Sequence, residues 1–570
     1  MGVLLQAFYQ RGTRGVPTPA EGDQIEAWWD HLAKQAHLLR QSGFTAVWLP
    51  PVNKGASGGL SVGYDVFDDY DIGSKNQKGT IPTRYGTREQ LARCVAVLRA
   101  NGLDVYLDLV ENQRAGGTGP GGFTFRYLDA DSNPGGGRFP KNPENFHPNV
   151  PEDPKTVPGQ DFSFGSDLAP INGKPPGYVF NGLIESADWL TRALDVQGYR
   201  LDDVKGVSTE FMLPLLNSKS MKGKFAVGEF FDGNILLIQN WLFGGMQGRA
   251  SAFDFPTRFT LARMCNRVGP FDMSSLDHVG LAGSNPFNAV TFVENHDTDR
   301  TDPIVQNKML GYAYILTSEG YPCVFYKDYS TDKFCFGLKP HMDKLIFVHE
   351  QIAQGASLQR FKNFEVFAFE RLSGPHLLTG LNNDPNTPQT ITVFTGFGSH
   401  VHLHDYAGHS ADVQTDGAGR ATITIPQNKN GLGYVCYSRQ GIGSAFQTHV
   451  PSAAQALEGA QDLDIKAAAA NEATDIGRVF CKAGTEILAQ LSFNAGDWNP
   501  NTALTLTGLD PAGGVAKTKV YNAAQQGEVM SITAANTGFF TFQIQAANPP
   551  AARPKLPFNL LVTYTAPTTL

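Results

Sequence analysis

From residue 1 to about 345, short apolar runs alternate with longer stretches in which apolar residues recur every three to four positions. The short runs fall at 3–8, 44–49, 104–110, 198–202, 224–229, 251–255, 289–294 and 322–326, and read as strands. Between them, 25–41 (with Leu32, Ala36 and Leu39 on one face), 88–100, 181–196, 208–216, 235–242, 257–265 and 309–318 read as amphipathic helices. Such alternation predicts parallel strands joined by crossover helices, and eight repeats are the count for a closed (β/α)₈ barrel. The alternative, a doubly wound open sheet, would carry a Gly-rich dinucleotide turn after its first strand, and none is there. Beyond about residue 355 the period shortens to two, giving strands at 364–371, 389–394, 421–425 and 433–438, then at 476–483, 486–493, 503–509, 517–522, 528–533, 539–545 and 559–564. The Ala/Gln-rich stretch 448–473 reads as a linker with one short strand. The expected organisation is therefore a barrel over 1–355, a loop domain over 112–178 inserted after the third strand, and two antiparallel β-sandwiches over 356–445 and 446–570.

The inserted segment is rich in Gly, Pro, Asn and Asp and far exceeds the usual 2–6 residues of a βα loop, which marks it as functional. It leaves the barrel at the face where the catalytic residues of this fold gather. Charge adds an exclusion: 46 Lys and Arg against 54 Asp and Glu give a net charge of −8, with no basic run, so nothing favours nucleic acid or an anionic membrane. No stretch nears the ~20 apolar residues of a membrane span, and residues 3–5 are too short for a signal-peptide core. The expectation is a monomeric protein, secreted in mature form rather than cytoplasmic. The six cysteines form no CxxC pair and read as mostly buried thiols, with a Cys323–Cys335 disulfide as the alternative.

Acids at strand ends carry the chemistry, because residues at the C-terminal ends of barrel strands share one site. Asp108, Asp202 and Glu229 end the third, fourth and fifth strands, and Asp297 follows the seventh beside His296. Retaining glycoside cleavage needs one carboxylate as nucleophile and one carboxylic acid as proton donor, about 5–5.5 Å apart. Adjacent strands can place Asp202 and Glu229 so. Asp297 would raise the donor's pKa by like-charge repulsion, and Arg200, two residues before Asp202 on the same strand face, would hold the nucleophile ionised. A lone strand-end acid is more often a cap or a solvated loop residue, but four on the correct strands are not so easily dismissed.

At these residues the chain resembles glycoside hydrolase family 13, the α-amylases. Asp108-Leu-Val-Glu-Asn112-Gln113 looks like the family's first conserved region, Gly198-Tyr-Arg200-Leu-Asp202-Asp-Val-Lys205-Gly206 its second, Gly228-Glu229 its third and Phe292-Val-Glu-Asn-His296-Asp297 its fourth. The stretches Gln6-Ala-Phe-Tyr9, Gly43-Phe-Thr-Ala-Val-Trp48-Leu-Pro-Pro51 and Gly63-Tyr64-Asp65 look like the family's barrel entry, so the likeness spans about 1–440. It implies Asp202 as nucleophile, Glu229 as acid/base and Asp297 as transition-state stabiliser, with Arg200, His296, Asp108, Gln113, Tyr64 and Lys205 contacting an α-glucan. Gln113 stands where the family usually has His, and its amide cannot change charge with pH. The resemblance further implies one structural Ca²⁺ held by Asn112, Asp161, Asp167 and the carbonyl of Gly206, pinning the long loop to the barrel.

The activity implied is endo-acting, retaining hydrolysis of α-1,4-glucosidic bonds. A maltooligosaccharide-forming or transglycosylating relative is the near alternative, and a catalytically silent glucan-binding protein the far one. For the last sandwich, Trp498 is the loop-borne aromatic offered to a glucan ring. That sandwich reads equally as a glucan-binding module or as an accessory domain.

Overall fold

The computed structural model describes residues 2–9, 26–129, 132–155, 165–266, 271–443, 455–459, 465–466, 473–496, 498–548, 555–556 and 558–570. Eight parallel strands close into a barrel: β1 (Leu4–Gln6), β2 (Ala46–Trp48), β3 (Asp104–Leu109), β4 (Gly198–Leu201), β5 (Phe225–Gly228), β6 (Ser251–Phe253), β7 (Ala289–Phe292) and β8 (Tyr321–Phe325). Neighbours in sequence are neighbours in the barrel, and β1 closes it against β8 with Leu4 opposite Cys323. All eight lie where the hydrophobic pattern puts them, seven trimmed at the ends and β8 shifted one residue toward its start.

Seven of the surrounding helices also follow the pattern: α1 (Trp28–Gln41), α2 (Arg88–Ala100), α3 (Tyr178–Leu194), α4 (Thr209–Asn217), α5 (Ile235–Gln239), α6 (Phe255–Asn266) and α7 (Lys308–Thr317). An eighth, α8 (Lys339–Gln351), completes the ring where no helix is expected from the sequence. Pro340 sits in its first turn, where the missing N–H has no partner to lose, so this proline starts a helix rather than breaking one. The helix expected over 235–242 changes pitch at Asn240 into a π-turn, Asn240–Gly245, that carries Trp241 beneath Gly228. A Cβ at Gly228 would overlap that indole, so Gly here is what lets β5 approach its helix.

Alternation along the strands makes two cores. Leu5, Val47, Val105 and Leu107 face the helices, while Leu4, Ala46, Trp48, Tyr106, Val227, Phe253, Val290, Phe292 and Cys323 fill the barrel's interior. The inner plug leaves only the C-terminal ends of the strands for chemistry.

Past the barrel, strands Gln354–Lys362, Val366–Ser373, Leu377–Asn382, Tyr434–Arg439, His402–Asp405 and Val413–Gln414 form one antiparallel sheet, faced by the ladder Gln389–Phe394/Arg420–Ile425 across an apolar core. The last part pairs two four-stranded sheets, Gln455–Gly459, Phe558–Tyr564, Glu486–Phe493, Val529–Thr533 and Thr474–Cys481, Gly538–Ala547, Ala503–Leu509, Val515–Tyr521. Within 448–473, where one short strand is expected, the described residues hold two: Gln455–Gly459, paired with Phe558–Tyr564, and Ile465–Lys466, paired with Lys555–Leu556. This sandwich lies along α2: Arg478 pairs with Glu89, and Asn101 donates to the Thr568 carbonyl at 2.9 Å. Trp498 is partly buried, its ring stacked on Phe493 with centroids 4.3 Å apart, so one face is already taken. The six cysteines are free thiols, Cys323 and Cys335 included. No helix among the described residues is long and apolar enough to cross a membrane.

Candidate active site

Period-two alternation on β3 sends Tyr106 and Asp108 to the same inner face, and β4 sets Arg200 directly opposite Asp108. Gly198, one layer below, leaves room for the Tyr106 ring. The ladder runs one residue beyond the named strands: Asp202 N–H donates to Leu109 O and Glu229 N–H to Leu201 O, both at 3.0 Å. Backbone hydrogen bonds therefore fix the two acids before any side-chain contact is made.

One guanidinium organises three carboxylates. Arg200 Nη1 donates to Asp108 Oδ1 at 2.7 Å and to Asp202 Oδ1 at 2.5 Å, while Nη2 bonds Glu229 Oε2. Arg200 is 1% exposed, so these charge-assisted bonds act in a poorly screened setting. Three acids against one cation leave negative charge in excess. Burial pushes the Glu229 carboxyl well above its usual range, with Asp202 and Asp297 adding like-charge repulsion against the opposing pull of Arg200. Asp108 rises to about 7, mainly through burial. Burial also raises Asp202, with Arg200 the main force holding it down. Both carboxyls are thus raised by burial and opposed by the same guanidinium, Glu229 carrying in addition the repulsion of Asp202, Asp297 and Asp203.

Asp297, five residues past β7, is bonded by Arg300 at 3.1 Å and lies 3.2 Å from His296 Nε2. Gln6 Nε2 donates to His296 Nδ1 at 2.9 Å, which fixes the neutral tautomer with its proton on Nε2, facing Asp297. Burial lowers the imidazole to about 4, so it stays neutral. Tyr64 stacks on His296 with ring planes 4° apart and centroids 5.2 Å apart, and its hydroxyl donates to Asp108 Oδ2 at 2.9 Å. Trp48 Nε1 donates to the same oxygen at 3.1 Å. Gln6, Trp48 and Arg300 thus hold site residues without having been assigned there from sequence. The first two lie in the barrel-entry motifs, so the signal was present, but only the closed barrel shows what they touch.

Gln113 is fully buried, gives its Nε2 to Tyr64 O at 2.9 Å and leaves Oε1 without a protein partner. Asp202 Oδ2 is likewise buried with no hydrogen bond of normal geometry, while the Gln113 amide lies close enough to help hold the Asp202 carboxyl down. Such orphaned acceptors cost stability unless a ligand meets them. Lys205 Nζ reaches Asp232 Oδ2 at 3.1 Å and Phe231 O at 3.3 Å, tying the loop after β4 to the loop after β5.

Of the four positions implied for calcium, Asp161 lies outside the described residues. Asn112 and Gly206 meet, since a Cβ on Gly206 would stand 2.9 Å from Asn112 Oδ1 and equally close to Asp203 Oδ2, which has no hydrogen-bond partner. Asp167 is near, but N–H groups occupy both its oxygens: Asn112 Nδ2 lies 3.5 Å from Oδ1, and Lys155 Nζ 3.0 Å from Oδ2. Calcium takes 6–8 oxygen ligands, and a buried ammonium on one of its two implied carboxylates is the opposite of what a dication requires. As arranged, Asn112, Asp167 and Gly206 do not fit the implied ion.

A plugged (β/α)₈ barrel whose strand ends gather carboxylates about one arginine is the framework of a glycoside hydrolase. No family model matches the chain. Its sequence is 30% identical over 403 residues to an α-amylase of Bacillus licheniformis, covering 60% of this chain and 77% of that protein. It is 28% identical over 463 residues to a glucan 1,4-α-maltohexaosidase of Bacillus sp. (strain 707), 71% of this chain and 86% of that protein. The γ-CGTase structure from alkalophilic Bacillus clarkii shares the fold at a TM-score of 0.59 and 16% identity, over 96% of this chain and 95% of that one. The chain belongs to the α-amylase family, glycoside hydrolase family 13.

Proposed function

We propose that the chain is an endo-acting, retaining α-amylase that cleaves α-1,4-glucosidic bonds of starch-type glucans through a covalent intermediate. Glu229 donates its proton to the glycosidic oxygen as the bond to the anomeric carbon breaks, and Asp202 attacks that carbon to form a glycosyl ester. Water then attacks the same carbon, Glu229 takes up its proton and Asp202 leaves as carboxylate. Two inversions give net retention. The observation that carries this reading is the shared guanidinium: it holds Asp202 and Glu229 on adjacent nitrogens while burial pushes the Glu229 carboxyl well above its usual range, the direction a proton donor needs. Asp202 Oδ1 is engaged by Arg200 and Oδ2 is not, which leaves Oδ2 for the anomeric carbon. Asp297 and neutral His296 would bind sugar hydroxyls together with Tyr64, which stacks on His296, and Gln113 beside Tyr64, with Lys205 on the leaving-group side.

The test is incubation of the protein and of Asp202→Asn with soluble starch, following reducing ends, anomeric form and product lengths. A broad ladder of α-anomeric maltooligosaccharides from the parent and near-silence in the variant is the expected result. A single dominant oligomer, as the name of the maltohexaosidase relative suggests, would replace the endo reading with a maltooligosaccharide-forming one. Products longer than the substrate would mean transglycosylation, and starch binding without cleavage would leave only a glucan-binding protein.

A further inference from the structure

The long loop after β3 must be fastened to the barrel, because it builds one wall of the cleft. Gln113 pairs with Asp167 and Arg114 with Ser166 in a two-residue ladder, and Leu168 N–H donates to Asn112 O at 2.8 Å. Asp167 therefore lies directly across from the buried amide of the site, and whatever neutralises Asp167 also steadies Gln113.

That neutralising group is Lys155. Its side chain is 3% exposed, and its ammonium stands 3.0 Å from Asp167 Oδ2 and 3.1 Å from Glu152 Oε1. The backbone delivering it is anchored independently: the Asp153 carboxylate accepts Ile171 N–H and Asn172 N–H at 2.8 Å each, and Asn172 Nδ2 donates to Glu152 O at 2.9 Å. The lysine thus ties 152–155 and 166–167 to the segment that leaves β3.

We propose that the Lys155 ammonium takes the place of the structural dication and that this chain folds and works without calcium at the loop–barrel junction. An ammonium offers three N–H donors and a single charge, enough for the buried carboxylate of Asp167 and the more exposed one of Glu152. It needs no oxygen cage, only acceptors at hydrogen-bond distance. A dication on Asp167 would have to displace this lysine or endure its charge close by, unscreened by solvent. The consequence is a cleft wall whose integrity does not depend on free calcium.

The experiment compares melting temperatures of the full chain and of K155M, D167N, D203N and the K155M/D167N double variant, each in excess EDTA and in excess calcium. The parent should melt within about 1 °C in the two conditions, whereas K155M and D167N should each fall by about 5 °C or more, as expected for breaking a buried pair. The double variant should fall no further than the worse single, since both remove one interaction. An EDTA-induced loss in the parent that D167N or D203N abolishes would place calcium at this junction and overturn the proposal. So would a K155M protein as stable as the parent. A loss that persists unchanged in both D167N and D203N belongs to another site and, with the K155M deficit intact, supports it.

Discussion

Arg200→Lys is the sharpest perturbation of the proposed mechanism, because it keeps the charge and removes the fork. The guanidinium serves Asp108 and Asp202 from Nη1 and Glu229 from Nη2, whereas an ammonium has one nitrogen on a shorter reach. Losing one charge-assisted hydrogen bond at Asp202 costs about 1.5–3 kcal/mol, or roughly one to two pKa units at about 1.4 kcal/mol per unit. The sign is upward for both acids, since burial already raises each and Arg200 is what opposes it. Asp202 must be ionised, so activity is lost as pH falls through its pKa. Glu229 must be protonated, so activity is lost as pH rises through its pKa. Both limbs of the kcat/KM bell should therefore move to higher pH by about one unit, with the peak lower by about 10²-fold. The assay is kcat/KM against pH on a blocked maltoheptaoside, with thermal melting as the folding control. A folded Lys variant whose bell does not move and whose peak stays within about threefold of the parent would refute the shared-guanidinium reasoning.

Gln113→Leu removes the donor to Tyr64 O inside the site, and the abandoned carbonyl should cost about 1–3 kcal/mol of stability together with a fall of about tenfold in kcat/KM. The acid limb should move to higher pH, because the Gln113 amide is one of the groups holding the Asp202 carboxyl down, and an unmoved bell would show that Gln113 acts on the substrate alone. Thr87→Ala breaks the capping box at the start of α2, where Thr87 accepts from Gln90 N–H and Gln90 Oε1 accepts from Thr87 N–H. It should lower stability by about 1 kcal/mol in a urea melt while leaving starch hydrolysis unchanged.

Period and spacing alone made the barrel legible. Eight apolar runs separated by 3.6-period stretches have one closed solution, and the strands found are those runs. The missed helix shows the limit: no helix is expected over 339–351, and the buried face of Met342, Leu345 and Ile346 that holds it is apparent only once the barrel is closed. Trp498 shows the same limit at the surface, since a loop aromatic in sequence becomes one ring of a stack once Phe493 arrives beside it.

For the site, sequence determined which residues stand at the strand ends, because strand period and register are local properties of the chain. It could not determine which of those acids keeps a proton. That depends on burial and on one guanidinium shared across three strands, both products of barrel closure. Nor could it show that Lys155 reaches Asp167, since a twelve-residue separation in a loop says nothing about distance until the fold closes it to 3.0 Å. Local pattern wrote the elements and the acids. Desolvation and long-range contact, which exist only in the folded chain, decided their charge and their partners.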